Sequence, residues 1–589
     1  MSSTTQPIEA DLIRPDVENA EMGYALQLVT STNCNVFLTG KAGTGKSSLL
    51  RYICATTKKA HVVLAPTGLA ALNVGGQTIH SFFHLPLEPI SPTDAKMIDT
   101  IVKKRLKKDE KKLIKQLELI VVDEVSMVRA DLIDILDKVL RRVRGHPTQI
   151  FGGLQMLFVG DLYQLEPVVS PDERQILDRF YRSPYFFSAA AFEGAEIVPI
   201  ELHKVYRQEE LQFVRMLDRI RTGSPTPSDI ELLNRRVAPG YHASQEEMVI
   251  TLCNTRRRVS EINEYHLSKQ LGKEFISQGI INGDMPERSL PTDAELKLKE
   301  GAQIIFVQND PAHQWVNGSL GAIQKIDQES ATITVLKDDG KVVRVSMSVW
   351  NNVKYRYNEE TKSVESEVVG SFQQYPIKLA WAITIHKSQG LTFERVIIDF
   401  GGGSFAAGQA YVALSRCRTL QGIILRQPFN PFGIIVREEV SNFYRKVNDS
   451  KQISLALAQA QAERSFVQAA RLVSAGKLND AATLFAKALG SEANIFTDHR
   501  ANRLLRYKLA EVAAIRQQKQ DLERELRERD RLAKDFANEY IDMGLMCMDL
   551  EEYEAAARNF RKALKLKPQS RRAKHALAKA LEKIKETDD

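Results

Sequence analysis

The sequence predicts an α/β protein that carries a small β insertion and continues into an all-α region. Between residues 35 and 205, short aliphatic runs alternate with helical patterns, which is typical of a parallel sheet with crossover helices. Short alternating strands between residues 300 and 350 indicate the insertion, with a hairpin turn at Asp338-Asp339-Gly340. After residue 450 the chain holds one proline and is rich in Ala, Leu, Glu, Lys and Arg, so we expect only helices there.

Length and composition limit the class of protein. The 589 residues exceed one hydrophobic core and predict about three to five domains. With 43% hydrophobic and 26% charged residues the composition is globular, and there is no long apolar run and no signal or transit pattern. We therefore expect a cytoplasmic protein, nucleoid-associated if its source is bacterial, with no membrane partner. The five scattered cysteines lack CxxC spacing, which favours reduced thiols over disulfides or zinc.

The net charge of +7 is unevenly distributed along the chain. Residues 1–450 hold 54 Lys and Arg against 53 Asp and Glu, whereas the remainder holds 27 against 21. Within the first part, residues 101–117 hold eight basic and two acidic side chains. A mild basic excess is compatible with a polyanionic partner but does not identify one.

A phosphate-binding loop is the clearest motif. GKAGTGKS at residues 40–47 matches GxxxxGK[ST] between a strand-like NVFLT and a helix-like SSLLRYICA. Its glycines let the backbone wrap a phosphate, Lys46 reaches the β- and γ-phosphates, and the Ser47 hydroxyl binds Mg²⁺. We therefore predict an ATP and Mg²⁺ site. Its nucleotide contacts in this segment are Gly40, Gly43, Thr44, Gly45, Lys46, Ser47 and Ser48.

Two further strands end in polar residues at what should be the same edge of the sheet. LIVV is followed by Asp123, which would hold Mg²⁺, and by Glu124, which would orient and deprotonate the attacking water. Surface acids capping a helix are the alternative. The strand that ends at Gly160-Asp161 leads to Gln164, which would meet the γ-phosphate unless the segment is an ordinary polar loop.

Six motifs together resemble the Pif family of helicases, in the RecD-like branch of superfamily 1. They are APTGLAALNVGGQTIHSFF at residues 65–83, GKAGTGKS, VVDEVSM, GDLYQLEPV, VYRQ and AYVALSR. The resemblance covers roughly residues 23–430. It implies ATP-driven 5′ to 3′ translocation on single-stranded DNA and unwinding of duplexes, forks, G-quadruplexes or RNA–DNA hybrids, in DNA repair, recombination or telomere maintenance.

The resemblance also implies a domain layout with two RecA-like domains. We expect an N-terminal tail at 1–22; a first domain, 1A, at 23–205 with a small 1B element at about 84–117; a second domain, 2A, at 206–274 and 372–448; an SH3-like 2B insertion at 275–371; and a helical region at 449–589. The basic run at 101–117 lies where this branch carries the element that splits the duplex. A solvated helix face is the alternative.

The resemblance implies contacts to the DNA strand from two motifs. The first is APTGLAALNVGGQTIHSFF at residues 65–83, and the second is WAITIHKSQGLT at residues 381–392. Hydroxyls and amides suit phosphates, and aromatic rings stack on bases. Core packing is the equal alternative for the two phenylalanines, and a structural donor is the alternative for the histidine of the second motif. The predicted contacts are Thr67, His80, Ser81, Phe82, Phe83, Thr384, His386, Lys387 and Ser388, while Gln389 and Gly390 lie toward ATP.

Arg207 and Arg416 stand where the family places its arginine fingers. A guanidinium reaching across the interdomain cleft stabilises charge on the transferring phosphoryl group. Taken singly, each would read as a surface ion-pair residue. Many relatives place a glutamine just before the phosphate-binding loop to read adenine. Here Gln27 lies near that place, but its surroundings look like a packed helix, so adenine selectivity stays open.

The last region resembles tetratricopeptide repeats. From Ala537, six residues fall at the small and large positions of the 34-residue repeat, with a weaker copy at Ala481, Phe485 and Ala488. Such repeats stack, and their concave side usually binds a protein or peptide partner. A helical brace on the motor is the alternative. The six positions are Tyr540, Gly544, Ala556, Phe560, Ala563 and Pro568.

Together these features predict a DNA helicase, monomeric when free, that acts on single-stranded DNA and DNA junctions. Two other functions stay open. One is a nucleotide-regulated scaffold with the repeats as its working end, against which the two arginines and Glu124 count. The other is a translocase directed to RNA or hybrids, because phosphate and stacking contacts scarcely distinguish the 2′-hydroxyl.

Overall fold

The computed structural model describes residues 14–16, 18–86, 94–193, 197–206, 210–244, 247–287, 290–358, 360–361, 363–401, 406–475, 477–489 and 499–588. The chain divides into two compact units, Met1–Ala460 and Gln461–Asp589. Within the described ranges, no helix has both the length and the apolar character that crossing a membrane requires.

The strands are confined to the first unit among the residues described. In chain order they are β1 Asn35–Gly40, β2 His61–Ala65, β3 Gln77–Thr78, β4 Leu119–Val122, β5 Gln155–Val159, β6 Ile197–Leu202, β7 Ile250–Cys253, β8 Phe275–Gln278, β9 Ile280–Gly283, β10 Glu295–Leu298, β11 Gln303–Phe306, β12 Leu320–Asp327, β13 Thr332–Lys337, β14 Val342–Val345, β15 Ser348–Asn358, β16 Ser363–Gln374, β17 Ile377–Leu379, β18 Ala382–Thr384, β19 Val396–Asp399 and β20 Ile423–Leu425.

The helices run through both units. In chain order they are α1 Ala20–Ser31, α2 Lys46–Thr56, α3 Gly68–Asn73, α4 Ile79–Phe83, α5 Ala95–Thr100, α6 Lys108–Gln116, α7 Ala130–Arg144, α8 Pro171–Leu177, α9 Leu211–Arg221, α10 Pro227–Asn234, α11 Arg256–Lys269, α12 Gln409–Leu414, α13 Glu438–Tyr444, α14 Ser450–Ser474, α15 Leu478–Leu489, α16 His499–Asp549, α17 Tyr553–Leu566 and α18 Arg571–Asp588.

The first sheet is parallel throughout, in the order β3-β2-β4-β5-β1-β6. Its strands read as continuous aliphatic runs because both faces are covered. Successive side chains enter different cores: Phe37 and Val122 belong to one buried cluster, and Leu38 and Val121 to another. The carboxyl ends of β1, β4 and β5 therefore present their following residues at one edge.

A second parallel sheet, in the order β18-β7-β19-β20, forms the other half of the α/β architecture. The strands described between β7 and β18 are all antiparallel, in sheets of five, three and two strands. The predicted turn is present, because Gly340 adopts a φ of 78° and its N–H donates to the Lys337 carbonyl at 3.0 Å between β13 and β14. The antiparallel strands run on to Leu379, eight residues beyond the predicted edge of the insertion.

The second unit is helical in its described residues, so the α/β fold class with an all-α region is confirmed. The helices α16, α17 and α18 pack around a small apolar cluster that includes Ala556, Phe560 and Ala563. A Cβ on Gly544 would lie 2.4 Å from Cε1 of Phe560, so only glycine lets this ring approach α16. Five of the six positions that suggested a repeat, Tyr540 and Gly544 with these three, thus form helix contacts.

Candidate functional site

A cavity of about 630 Å³ lies at the carboxyl edge of the first sheet. Residues 42–49 form one wall, and Glu124, Asp161 and Gln164 contribute the side chains that follow β4 and β5. Gly390 and Arg416 line it from the segment that carries the second sheet. The structure thus gathers into one cavity residues that are more than 300 positions apart in the chain.

The phosphate-binding loop has the backbone that its glycines allow. Gly43 and Gly45 adopt φ values of 82° and 85°, and α2 begins at Lys46. The ammonium of Lys46 is folded over the loop, where it donates to the carbonyls of Gly40 at 2.6 Å and Lys41 at 3.0 Å. Burial lowers the pKa of Lys46, while the carboxylates of Asp161 and Glu124 oppose this shift. An anionic phosphate is a better partner for this ammonium than two carbonyls.

Glu124 is held in an unusual position directly after β4. Its φ is 49°, in the left-handed region, and its N–H donates to Oδ1 of Asp123 at 2.9 Å. Burial, followed by the neighbouring charge of Asp123, raises the pKa of Glu124 to about 7. Burial also raises the pKa of Asp123. A carboxyl group that titrates near neutral pH is suited to accept a proton from water.

A hydrogen-bonded chain of side chains crosses the cavity. The amide Nε2 of Gln389 donates to Oε2 of Glu124 at 2.9 Å and to Oε1 of Gln164 at 3.0 Å. Gln164 donates in turn to Oδ2 of Asp161 at 3.3 Å. A residue of the second predicted DNA motif, WAITIHKSQGLT, is therefore bonded directly to the predicted general base.

Arg416 lines the cavity but is engaged with its own segment. Its guanidinium donates to the carbonyls of Val412 at 2.8 Å and Leu391 at 3.1 Å, and to the Ser415 hydroxyl at 2.8 Å. It must exchange some of these bonds to reach a phosphate. The other predicted finger, Arg207, lies outside the described residues.

One charged cluster escaped the sequence-based prediction. Arg221, at the end of α9, is buried and donates to Asp161 through Nη2 at 3.0 Å, and it also pairs with Glu201 at 2.9 Å. Its guanidinium lies over the rings of Tyr163 and Tyr444, at 4.6 and 5.3 Å from their centroids. In the sequence Arg221 reads as an ordinary basic residue at a helix C-terminus, and no local signal marks it.

The first DNA motif is only partly exposed. Thr67 is exposed and its hydroxyl caps α3 by accepting the Ala70 N–H at 3.2 Å; Ser81 is exposed and His80 half-buried. Phe82 and Phe83 instead belong to the core of the first sheet, with their ring centroids 4.9 Å apart. Both rings are buried in this structure, which favours the core-packing alternative, and their stacking on bases stays a prediction.

The second DNA motif divides in the same way. The hydroxyl of Ser388 donates to the Ile385 carbonyl at 2.7 Å, and that of Thr384 accepts the Lys387 N–H at 3.2 Å. Both residues are buried and their hydroxyls hold the turn, while a DNA contact from either stays a prediction. His386 and Lys387 reach the surface, and burial followed by repulsion from Lys378 lowers the pKa of Lys387 to about 8.

A hairpin of the insertion reaches the first DNA motif. The hydroxyl of Tyr355, on β15, accepts the Val63 N–H at 3.2 Å, and its ring meets that of Phe82 edge-on at 6.3 Å. Tyr357 and Val364 pack against the same core. The hairpin thus covers part of the edge that carries residues 79–83.

The basic run at 101–117 ends in an amphipathic helix, α6. Leu113 and Ile114 are buried, while Lys107 and Lys108 are exposed. Lys103 pairs with Asp99 at 2.9 Å.

Gln27 lies on the exposed side of α1 and does not line the cavity, whose corresponding wall includes Met22 and Tyr206.

The sequence model of the PIF1-like helicase family matches residues 23–229, and a second helicase model matches residues 305–462. "ATP-dependent DNA helicase Pif1" of Bdellovibrio bacteriovorus is 32% identical over 434 residues, which cover 72% of this chain and 91% of that protein. "ATP-dependent DNA helicase PIF1" of Homo sapiens is 32% identical over 431 residues, and the chain spans 62% of its length.

Two solved structures of Pif1 from Bacteroides sp. differ in their likeness to this chain. The complex with ADP-AlF4 is 37% identical and has a TM-score of 0.67, over 72% of this chain and 96% of that one. The structure bound to single-stranded DNA has the same identity and coverage but a TM-score of 0.53. The arrangement seen here is therefore nearer to the structure without DNA than to the structure with DNA.

Proposed function

The chain belongs to the PIF1-like helicase family and is an ATP-hydrolysing DNA helicase, and we propose that it travels 5′ to 3′ on single-stranded DNA to unwind duplex, forked or G-quadruplex DNA. Its fold is the RecA-like helicase fold. The observation that carries the proposal is the bond between Gln389 and Glu124, because it joins the strand-binding motif to the general base.

For ATP hydrolysis, we assign a role to each polar group of the cavity. Lys46 leaves its two carbonyls for the β- and γ-phosphates, and Glu124 takes the proton of the attacking water. The Ser47 hydroxyl and the Asp123 carboxylate are oxygen donors of the kind Mg²⁺ prefers, so these two would hold it. Mg²⁺ would neutralise phosphate charge there.

Coupling to DNA follows from the same hydrogen-bonded chain. Loss of the γ-phosphate changes what Glu124 and Gln164 can bond, and both share the amide of Gln389. Arg416 and Arg207 serve as fingers when the two domains close on ATP. Closure and release thereby become a step along the strand.

The strand path runs past the exposed members of both motifs. On the second domain, burial and then the charge of Arg256 lower the pKa of His386, and burial and then the charge of Lys378 lower the pKa of Lys387. Such crowded cations favour a phosphate. On the first domain, Thr67, His80 and Ser81 supply polar contacts.

Two assays test this function. ATP hydrolysis with and without single-stranded DNA distinguishes the helicase from a nucleotide-regulated scaffold, because a motor is stimulated by its track. Unwinding of 5′-tailed against 3′-tailed duplexes then tests polarity, and dependence on a 3′ tail would overturn the proposal. Lys46→Ala should abolish both activities while leaving the protein folded, since the ammonium of Lys46 bonds to carbonyls of its own loop.

We also propose a protein or peptide partner for the helical region. The support is a set of exposed apolar side chains along α16, including Leu522, Leu526, Phe536 and Met546. An apolar stripe on a helix is a common docking face for another helix. Replacing Leu526 and Phe536 by Lys should abolish binding of a model amphipathic helical peptide, and unchanged binding would contradict this assignment.

A further inference from the structure

The second unit carries an unusual concentration of positive charge on two adjacent helices. Residues 555–581 contain nine Lys and Arg and no Asp or Glu. The residues span most of α17, the short connection and the first half of α18. Eight of the nine are exposed, and Lys567 is half-buried. The nine are Arg558, Arg561, Lys562, Lys565, Lys567, Arg571, Arg572, Lys574 and Lys579.

On α17 these charges form one face. Arg558, Arg561, Lys562 and Lys565 follow the spacing i, i+3, i+4, i+7, which places them along one side of a helix. The opposite side is buried in the apolar cluster through residues 556, 557, 560 and 563. The helix therefore holds its cations on a fixed, outward-facing row.

Few of these cations have a counter-charge. Arg572 pairs with Asp542 at 3.1 Å, and Lys562 lies 5.3 Å from the centroid of the Tyr540 ring. For the other seven, no ion pair is found within the part of the chain that the structure describes. A face of this kind repels itself and gains from an external polyanion.

The neighbouring helix α16 shows that this is not the ordinary pattern of a solvated helix. Residues 516–535 hold seven basic and six acidic side chains. Arg527 and Lys519 lie within 4.0 Å of Glu523, and Arg531 lies 3.9 Å from Asp535. Charge is equally dense on α16 but balanced along it, so it serves solubility rather than anion binding.

We propose that the outer face of α17 and α18, defined by these nine residues, binds the phosphate backbone of nucleic acid. We name it the basic face. DNA is the fitting polyanion because the motor already acts on it, and in this choice alone the inference rests on the proposed function. Lysines and arginines spaced along rigid helices suit phosphates, without reading of sequence.

The test compares two full-length variants that each lose four cations. One, R558Q/R561Q/K562Q/K565Q, removes the row on α17. The matched control, R516Q/R524Q/R529Q/K534Q, removes four exposed cations of α16 and leaves its ion pairs in place. Glutamine keeps a helix propensity close to that of Lys and Arg, so both should fold, as circular dichroism will report.

The readout is the salt dependence of binding to a blunt duplex. Each phosphate contact contributes about 0.9 to the slope of log affinity against log salt, so the α17 variant should lose about 3 to 4 in slope. The control should keep the wild-type slope. An equal slope in wild type and α17 variant overturns the proposal. So does a loss confined to binding of polyglutamate, which would identify an acidic protein as the partner.

A second set of substitutions, on α18, shows whether a local folding defect of α17 could account for the first result. R571Q/K574Q/K579Q on α18 should lower the slope by about 3 without touching α17. DNA-stimulated ATP hydrolysis is measured on the same preparations. If the wild type shows none, the proposed motor function fails. The difference in slope between variants still shows whether the basic face binds DNA.

Discussion

The two units of this protein use charge in opposite ways. In the first, the decisive charges are buried and bonded across elements: Arg221 is fixed by Asp161 and Glu201, and Glu124 by Gln389. In the second, the charges of α17 and α18 are exposed and follow one another along the two helices. Removing one buried partner leaves the other uncompensated in a medium of low polarity, whereas a surface charge remains solvated. Loss of one buried charge should therefore change activity or stability by itself, whereas exposed charges should have an effect only when several are removed together.

The largest effect is expected at Glu124. Glu124→Gln preserves size and an acceptor for Gln389 but cannot take a proton, so kcat for ATP hydrolysis should fall by about 10² to 10⁴. DNA-stimulated phosphate release measures it. Asp172→Asn, which changes an exposed acid on α8, should leave kcat unchanged. Normal hydrolysis by the Glu124→Gln variant would remove Glu124 from the mechanism.

The next largest effect is expected at Arg221. Arg221→Ala leaves Asp161 and Glu201 buried without their counter-charge and should lower the free energy of unfolding by about 3 to 5 kcal/mol. Urea titration followed by tryptophan fluorescence measures this, because Trp315, Trp350 and Trp381 all lie in the first unit. Arg558→Ala, on the basic face, should lower the stability of the second unit by less than about 0.5 kcal/mol, and because that unit contains no tryptophan, urea titration followed by circular dichroism measures it. Similar values for both would erase the contrast between the units.

A steric pair of substitutions extends the comparison beyond charge. Gly544→Ala forces a Cβ to within 2.4 Å of the Phe560 ring and should destabilise the second unit by about 1 to 3 kcal/mol. Gly23→Ala, inside α1, meets no atom within 4 Å and should stabilise by up to about 1 kcal/mol through helix propensity. Thermal unfolding followed by circular dichroism reports both. A neutral Gly544→Ala would mean that α17 shifts away from α16 without cost.

The smallest effect concerns pH. Because burial raises the pKa of Glu124 to about 7, its carboxylate form, which acts as base, is lost as the pH falls through 7. The value of kcat should therefore drop about tenfold for each unit below that point. A pH profile of DNA-stimulated hydrolysis checks this. In Glu124→Gln the limb should vanish, and its persistence would assign the titration to another group.

The local parts of the site were open to prediction from the sequence. The phosphate-binding loop and the acids after β4 lie where the motifs put them, because glycines, a strand and a helix start act through neighbouring residues. The comparisons confirm the family that the six motifs suggested. The two helicase models match residues up to 462 and so do not cover α17 and α18.

Burial decided between uses of a side chain that the sequence left open. The motif around Phe82 and Phe83 marks a DNA contact in the family, and hydrophobic rings equally suit a core, so the sequence left both uses open. In the folded chain both rings pack in the core of the first sheet, and Phe82 also contacts Tyr355. Ser388 shows the same limit, since its hydroxyl is turned inward to the Ile385 carbonyl.

The sequence by itself determined the fold class, the phosphate-binding loop and the acids that face it, because each is a pattern over a few consecutive turns or strands. Only the tertiary structure decided which residues meet: Gln389 reaches Glu124 from 265 positions away, and Arg221 reaches Asp161 from 60. Hydrogen bonds and ion pairs between such residues depend on how distant elements pack. No local preference of the chain encodes that packing.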